Sequence, residues 1–217
     1  MRSWYILHHG QISTTANTLP LLVSICYPIG YTLVANNYPM NLWHDIPLGD
    51  KAPEEFNTII EIPRGSHNKY EIDKETGLIK LDRVNFSAAA YPCDYGFAPQ
   101  TLWEDGDALD VIVLTTNPIP PGILVSVRPV GLMKMIDGGE SDDKVIAVPT
   151  EDIRFDHVQD LADINKHTLK EMQHFFEQNK KLKKKPVEII VNGFEGRASA
   201  LAAVKRSVEL YKQKFGK

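Results

Sequence analysis

The sequence predicts a mainly β protein that also contains helices, an α+β domain in one piece. Short β-prone runs separated by turn signals fill the chain from Thr58 to about residue 160, with no long helical periodicity between them. Two amphipathic stretches of helical period follow nearer the end. Because a meander of short strands leaves exposed edges unless it closes on itself, we expect a small closed or nearly closed barrel.

The strands are taken in chain order from runs of β-branched, aromatic and alternating residues. We predict strands at Thr58–Pro63, Lys69–Asp73, Leu78–Phe86, Val111–Thr115, Leu124–Val130, Gly131–Ile136 and Lys144–Val148. A turn over residues 73–77, Asp-Lys-Glu-Thr-Gly, joins the second and third of these as a hairpin.

Two helices and one more strand complete the domain. Apolar residues such as Leu169, Met172 and Phe176 recur on one side of a helix predicted over about residues 165–182. Pro186 ends that stretch, and a strand follows over residues 187–191. The last helix, about residues 195–215, carries an apolar stripe that we expect to face the core.

The first 39 residues differ from the rest. Between Arg2 and Asp45 there is no Asp, Glu, Lys or Arg. Pro20, Pro28 and Gly30 interrupt the apolar part, which is short for a membrane span of ~20 residues. We therefore expect residues 1–39 to be an extension that contributes little to the fold, with Met40 as the start of the functional polypeptide. A weak export signal is the alternative.

Composition excludes several classes of protein. The 217 residues are 43% hydrophobic and 24% charged, which suits one globular domain over residues 40–217. The chain has a net charge of −4, whereas nucleic-acid binding needs a basic surface. Cys26 and Cys93 lie too far apart in sequence to suggest a disulfide framework or a zinc site, so a reducing cytoplasm fits best.

Charged residues occur in places where apolar ones are expected. Three aspartates, Asp105, Asp107 and Asp110, have D-x-D-x-x-D spacing directly before an apolar strand. Glu61 interrupts a run of isoleucines, and Lys69 shares a strand face with Glu71. One such charge is usually solvated, and an acidic glycine loop is usually a surface turn. Several of them at separate strand ends indicate a common site.

A site that combines carboxylates with lysine and arginine side chains has a specific chemical use. Carboxylates that lie close together repel unless cations separate them, and oxygen donors select hard ions, with Mg²⁺ as the first candidate. Lysine and arginine would hold the phosphoryl oxygens that the metal leaves uncovered. Hydrolysis of a phosphoanhydride needs such carboxylates, metal ions and cations, and it needs no covalent nucleophile.

Several motifs, in order along nearly the whole of residues 40–217, resemble the soluble family I inorganic pyrophosphatases. They are Glu61-Ile62-Pro63, Lys69-Tyr70-Glu71-Ile72-Asp73, Leu81-Asp82-Arg83, Tyr91-Pro92-Cys93-Asp94-Tyr95-Gly96, Asp105-Gly106-Asp107-Ala108-Leu109-Asp110, Arg128-Pro129-Val130-Gly131, and Lys134-Met135-Ile136-Asp137 with Asp142 and Lys144 following. The resemblance implies a five-stranded OB-like barrel with two helices from the C-terminal half packed on it. It also implies a homohexamer, with no nucleic-acid or membrane partner.

The resemblance also implies a mechanism and a role for each site residue. Mg²⁺-dependent attack of a metal-activated water on inorganic pyrophosphate gives two orthophosphates, with Asp107 as general base and Tyr95 hydrogen-bonding nearby. The implied metal ligands are Asp105, Asp110 and Asp142 around the water, and Asp137, Glu61 and Glu71 for further ions. The implied phosphate contacts are Lys69, Arg83, Lys144, Lys180 and Asn179.

Asn179 departs from the family pattern, which has Tyr-Lys where this chain has Asn179-Lys180. A phenol contact to phosphate becomes a shorter amide contact, which costs roughly 1 kcal/mol if it is poorly made. We expect weaker binding of substrate or product and largely retained chemistry, unless a neighbour or water compensates.

Two other functions compete with this interpretation. A glycosyl or nucleotidyl transferase also uses a D-x-D pair, but no glycine-rich phosphate loop accompanies these aspartates. A calcium-binding or oligonucleotide-binding module is consistent with an OB-like barrel. However, the loop at Asp105 lacks EF-hand spacing and the chain is acidic.

Overall fold

The computed structural model describes residues 40–216, so the expectation about residues 1–39 lies outside the described residues. The strands are β1 (Phe56–Ile62), β2 (Asn68–Ile72), β3 (Ile79–Val84), β4 (Asp94–Phe97), β5 (Asp110–Val113), β6 (Leu124–Asp137), β7 (Glu140–Ser141), β8 (Lys144–Pro149) and β9 (Ile189–Gly196). The helices are α1 (Lys166–Gln178) and α2 (Arg197–Phe215), and two short 3₁₀ turns, Ile153–Phe155 and Leu161–Asp163, precede α1.

Five strands form a closed ring, which confirms the barrel prediction. The strand order is β1-β4-β5-β8-β6, and antiparallel pairing of β1 with β6 closes it. The contact between β5 and β8 is parallel, and the other contacts of the ring are antiparallel. The hairpin β2–β3 forms a separate two-stranded sheet, while β7 and β9 pair with β6 beyond the ring. Closure leaves the five strands without a free edge.

Two strands were missed, β4 and the two-residue β7, and two predicted strands are one. Strand β4, Asp94–Phe97, contains Gly96, which weakens a strand signal in sequence. In the fold a Cβ at Gly96 would lie 1.9 Å from the Ile59 carbonyl oxygen, so only glycine allows this approach to β1. The predicted strands 124–130 and 131–136 form the single bent strand β6, whose pairing with β8 shifts register between Pro129 and Gly131.

The barrel has an apolar interior that both helices extend. Helix α2 places Ala200, Ala203 and Val204 against barrel residues that include Val111 and Val145. Helix α1 places Met172, Phe175 and Phe176 in a second apolar cluster. Within residues 40–216, neither helix is long and apolar enough to cross a membrane.

Candidate active site

One cavity of about 540 Å³ brings together all thirteen site residues predicted from the sequence. They are Glu61, Lys69, Glu71, Arg83, Tyr95, Asp105, Asp107, Asp110, Asp137, Asp142, Lys144, Asn179 and Lys180. They come from seven strands, the loop before β5, the connection between β7 and β8, and the two residues after α1. Their proximity is a property of the fold, whereas their individual roles stay predictions.

Lys144 lines the cavity, and its side chain is 2% exposed. Its ammonium group donates hydrogen bonds to Asp110 Oδ2 at 2.6 Å and to Asp142 Oδ1 at 2.7 Å. The Tyr95 hydroxyl donates to the same Asp110 oxygen. Tyr95, Asp110 and Lys144 lie on the neighbouring strands β4, β5 and β8, and Asp142 lies two residues before Lys144, so the fold brings the four side chains together.

Burial and like charge alter proton affinity in this group. Burial raises the pKa of Asp142 to about 7, and Asp110 adds to the effect while Lys144 opposes it. Burial raises the pKa of Glu61 to about 8, with Asp110 adding to it, although Glu61 accepts a hydrogen bond from the Ile72 amide at 2.7 Å. Burial by itself would lower the pKa of Lys144, but Asp110 and Asp142 together raise it. The site therefore favours an added positive charge.

The other cavity cations Lys69, Arg83 and Lys180 also form ion pairs. Lys69 contacts Glu71 at 2.6 Å and Asp82 at 3.3 Å, and Arg83 contacts Asp82 at 2.5 Å. Lys180 pairs with Asp137. The predicted phosphate-binding cations thus lie beside carboxylates, so an anionic substrate would compete with those carboxylates for the cations.

Lys74 is a cavity residue that the sequence did not indicate. It lies in the turn of the β2–β3 hairpin, pairs with Asp107, and places its ammonium group 5.6 Å from the centre of the Trp43 ring. A lysine in a hairpin turn is normally solvated, so its sequence carries no signal of this contact. Only the approach of the hairpin to the loop before β5 reveals it.

Asn179 follows the last residue of α1 and lines the cavity. Its Oδ1 atom is buried and accepts no hydrogen bond from any described residue. Leaving such an atom unpaired costs free energy, so a ligand that donates a hydrogen bond there is favoured. The predicted contact to substrate would use the other end of the amide, since Nδ2 donates and a phosphate oxygen accepts.

The chemistry of the donors fits a hard divalent cation. The cavity's described lining contains carboxylates from separate elements and neither His nor Cys. Oxygen donors of this kind suit Mg²⁺ or a similar ion. Among residues 40–216, however, no three His, Cys, Asp or Glu side chains are arranged as a closed metal-binding group. Lysine ammonium groups contact Asp107, Asp110, Asp137 and Asp142 instead.

Comparison with known proteins gives consistent results. The family model for inorganic pyrophosphatase matches residues 58–212. A soluble inorganic pyrophosphatase of Oryza sativa subsp. indica is 50% identical over 169 residues, which are 78% of each chain. Soluble inorganic pyrophosphatase 1 of Arabidopsis thaliana is 47% identical over 78% of this chain and 79% of its own.

Solved structures agree in fold as well as in sequence. The crystal structure of inorganic pyrophosphatase from Thermus thermophilus superposes with a TM-score of 0.77 at 50% identity, over 80% of this chain and 99% of that one. An inorganic pyrophosphatase structure from Coxiella burnetii gives a TM-score of 0.73 at 42% identity, over 77% of this chain and 100% of its own. The chain therefore belongs to the inorganic pyrophosphatase family.

Proposed function

We propose that the chain hydrolyses inorganic pyrophosphate to two orthophosphates with Mg²⁺ as its cofactor, and that Asp107 is the general base. Family membership supports the reaction and a divalent metal. The single observation that carries the residue assignment is the cavity in which the predicted carboxylates and cations meet. No other function has a comparable arrangement in its favour.

The carboxylates of the cavity would hold the metal. In this proposal Asp105, Asp110 and Asp142 would ligate the ions that activate the reacting water, and Asp137, Glu61 and Glu71 would hold further ions. When bound, divalent cations lower the pKa of a coordinated water and neutralise phosphate oxygens. The Tyr95 hydroxyl, which donates to Asp110, fixes the orientation of that carboxylate.

The remaining residues bind substrate and move a proton. Lys69, Arg83, Lys144 and Lys180 bind the phosphate oxygens, each exchanging a carboxylate contact for one to substrate. Asp107, whose side chain is 56% exposed, is accessible to water and accepts the proton as water attacks one phosphorus atom. The bond from that phosphorus to the bridging oxygen breaks, and the second phosphate leaves with the bridging oxygen.

A phosphate-release assay tests the reaction. We expect Mg²⁺-dependent release from pyrophosphate to exceed release from ATP or a nucleotide-sugar, because the cavity carries cations for a small, densely charged anion. Preferred use of a nucleotide-sugar would support a transferase instead. Absence of pyrophosphate hydrolysis with any divalent metal would refute the proposal.

The proposal includes an assembly and a compartment. We propose a homohexamer in the cytoplasm whose functional part is residues 40–217, with residues 1–39 contributing little. Light scattering coupled to gel filtration tests the hexamer, and fractionation of the source cells tests the compartment. Intact mass of the protein from its source tells whether residues 1–39 are retained.

A further inference from the structure

A lysine-rich loop follows the active-site end of α1. We define the lysine loop as residues 181–188, which contain Lys181, Lys183, Lys184 and Lys185. All four lysines are exposed, and none forms an ion pair with another described residue. This separates them from Lys69, Lys74, Lys144 and Lys180, each of which contacts a carboxylate inside the cavity.

The loop is held at the cavity at both ends. Lys180 precedes it, Ile189 follows it, and both line the cavity. The Lys183 amide donates to the Lys180 carbonyl oxygen at 3.1 Å, a turn that keeps the two Cα atoms within about 7 Å. At the other end, the Gly138 amide donates to the Glu188 carbonyl oxygen at 3.1 Å, next to the cavity residue Asp137. Both ends of the loop therefore lie at the cavity.

The cavity needs such a group of cations because its own lining is acidic. Nine carboxylic side chains line it against five lysine and arginine side chains. Pyrophosphate is itself multiply negative, so the bare electrostatic field of the lining opposes its entry. The lining thus has four more carboxylates than cations, and the four unpaired ammonium groups of the lysine loop offset that excess for an approaching anion, within a screening distance of about 10 Å at 0.1 M salt.

We infer that the lysine loop is an electrostatic docking surface that draws pyrophosphate, free or as its divalent-cation complex, to the cavity mouth. The inference rests on the proposed function for the identity of the anion. Docking acts before the cavity cations bind the substrate. It therefore changes the rate of association and leaves the reaction of bound substrate unchanged.

The test compares two quadruple variants of equal net charge. In the loop variant Lys181, Lys183, Lys184 and Lys185 become Gln. In the control variant four exposed helix lysines that do not line the cavity become Gln: Lys166, Lys170, Lys205 and Lys212. Association of pyrophosphate is followed by stopped-flow tryptophan fluorescence, because Trp43 lines the cavity, and kcat is measured alongside.

The loop variant should associate about tenfold more slowly at low salt, because electrostatic steering raises association rates by about tenfold or more. The difference should vanish near ~1 M salt, where the Debye length is about 3 Å. We expect kcat and the thermal midpoint to match those of the parent, and the control variant to behave as the parent. Equal slowing in both variants, or a difference that persists at high salt, overturns the inference. If association depends on the loop but no phosphate is released, the proposed function is wrong and the inference about the loop stands.

Discussion

The carboxylate of Asp94 and the cavity carboxylates of Asp110 and Asp142 are neutralised in different ways. Asp94, on β4, is fully buried and accepts hydrogen bonds from the Arg64 amide at 2.5 Å, the Thr115 hydroxyl at 2.5 Å and the Ile119 amide at 3.2 Å. Asp110 and Asp142, in the cavity, contact the Lys144 ammonium group instead.

The difference separates a structural carboxylate from a working one. The donors around Asp94 belong largely to the backbone, which cannot move away without local unfolding. The Asp94 carboxylate therefore keeps these hydrogen bonds in the folded state. The partner of Asp110 and Asp142 is a flexible side chain that can exchange one anion for another. Four predictions test or refine this contrast, from the largest expected effect to the smallest.

The largest effect is expected at Asp107. Asp107→Asn removes the proposed proton acceptor and should lower kcat by about 10²- to 10⁴-fold, with the unfolding transition unchanged because the side chain is largely exposed. Phosphate release and thermal unfolding measure the two effects. Glu104→Gln is the matched control, since Glu104 lies in the same loop, does not line the cavity and should retain activity. Near-normal turnover in Asp107→Asn would remove it from the role of base.

Asp94 should affect stability instead of chemistry. Asp94→Ala leaves three donors without an acceptor and should lower the free energy of unfolding by ~3–5 kcal/mol. Asp94→Asn keeps one acceptor oxygen and should lose less. Urea unfolding gives the stability, and kcat of the folded fraction should stay near that of the parent. A stable variant with strongly reduced kcat would contradict the contrast.

Cys93 precedes Asp94 in sequence, and its thiol reports whether the region around Asp94 excludes solvent. Burial raises the pKa of the Cys93 thiol to about 12, so the folded state keeps this proton where the unfolded state, with an ordinary pKa of ~8.5, loses it. Stability should therefore fall as pH rises above ~8.5, and by about pH 9.5 this residue contributes a loss of ~1.4 kcal/mol. Cys93→Ala should show a shallower decline with pH. Identical slopes for parent and variant would show that the thiol stays accessible.

Asn179 should have the smallest effect. Asn179→Tyr restores the residue type of the family pattern and should tighten substrate or phosphate binding by roughly 1 kcal/mol, about fivefold, with little change in kcat. The measurements are KM and the phosphate inhibition constant. Asn179→Gln is the control, since it lengthens the amide without supplying a phenol. If both constants stay unchanged in Asn179→Tyr, water or a neighbour already compensates.

Much of the fold followed from local patterns. Alternating and β-branched runs indicated most strands, and apolar stripes indicated both helices to within four residues of their ends. Strand β4 was not predicted because Gly96 weakens the strand pattern. Glycine is present there because the backbone of β1 lies too close for a side chain. The break predicted between Val130 and Gly131 is a register shift inside one strand, since pairing with β8 continues from Val127 to Met133.

The sequence by itself determined the inventory of the site, because motif order and residue type identify the carboxylates and cations that the chemistry needs. The tertiary structure decided which charged side chains contact one another. Lys144 between two carboxylates, Lys74 against Asp107 and the unpaired oxygen of Asn179 all depend on contacts between distant segments. Spacing along a chain fixes which face of a strand a side chain occupies. Closure of the barrel fixes what lies opposite that face, and the energy of a charge is set by its neighbours.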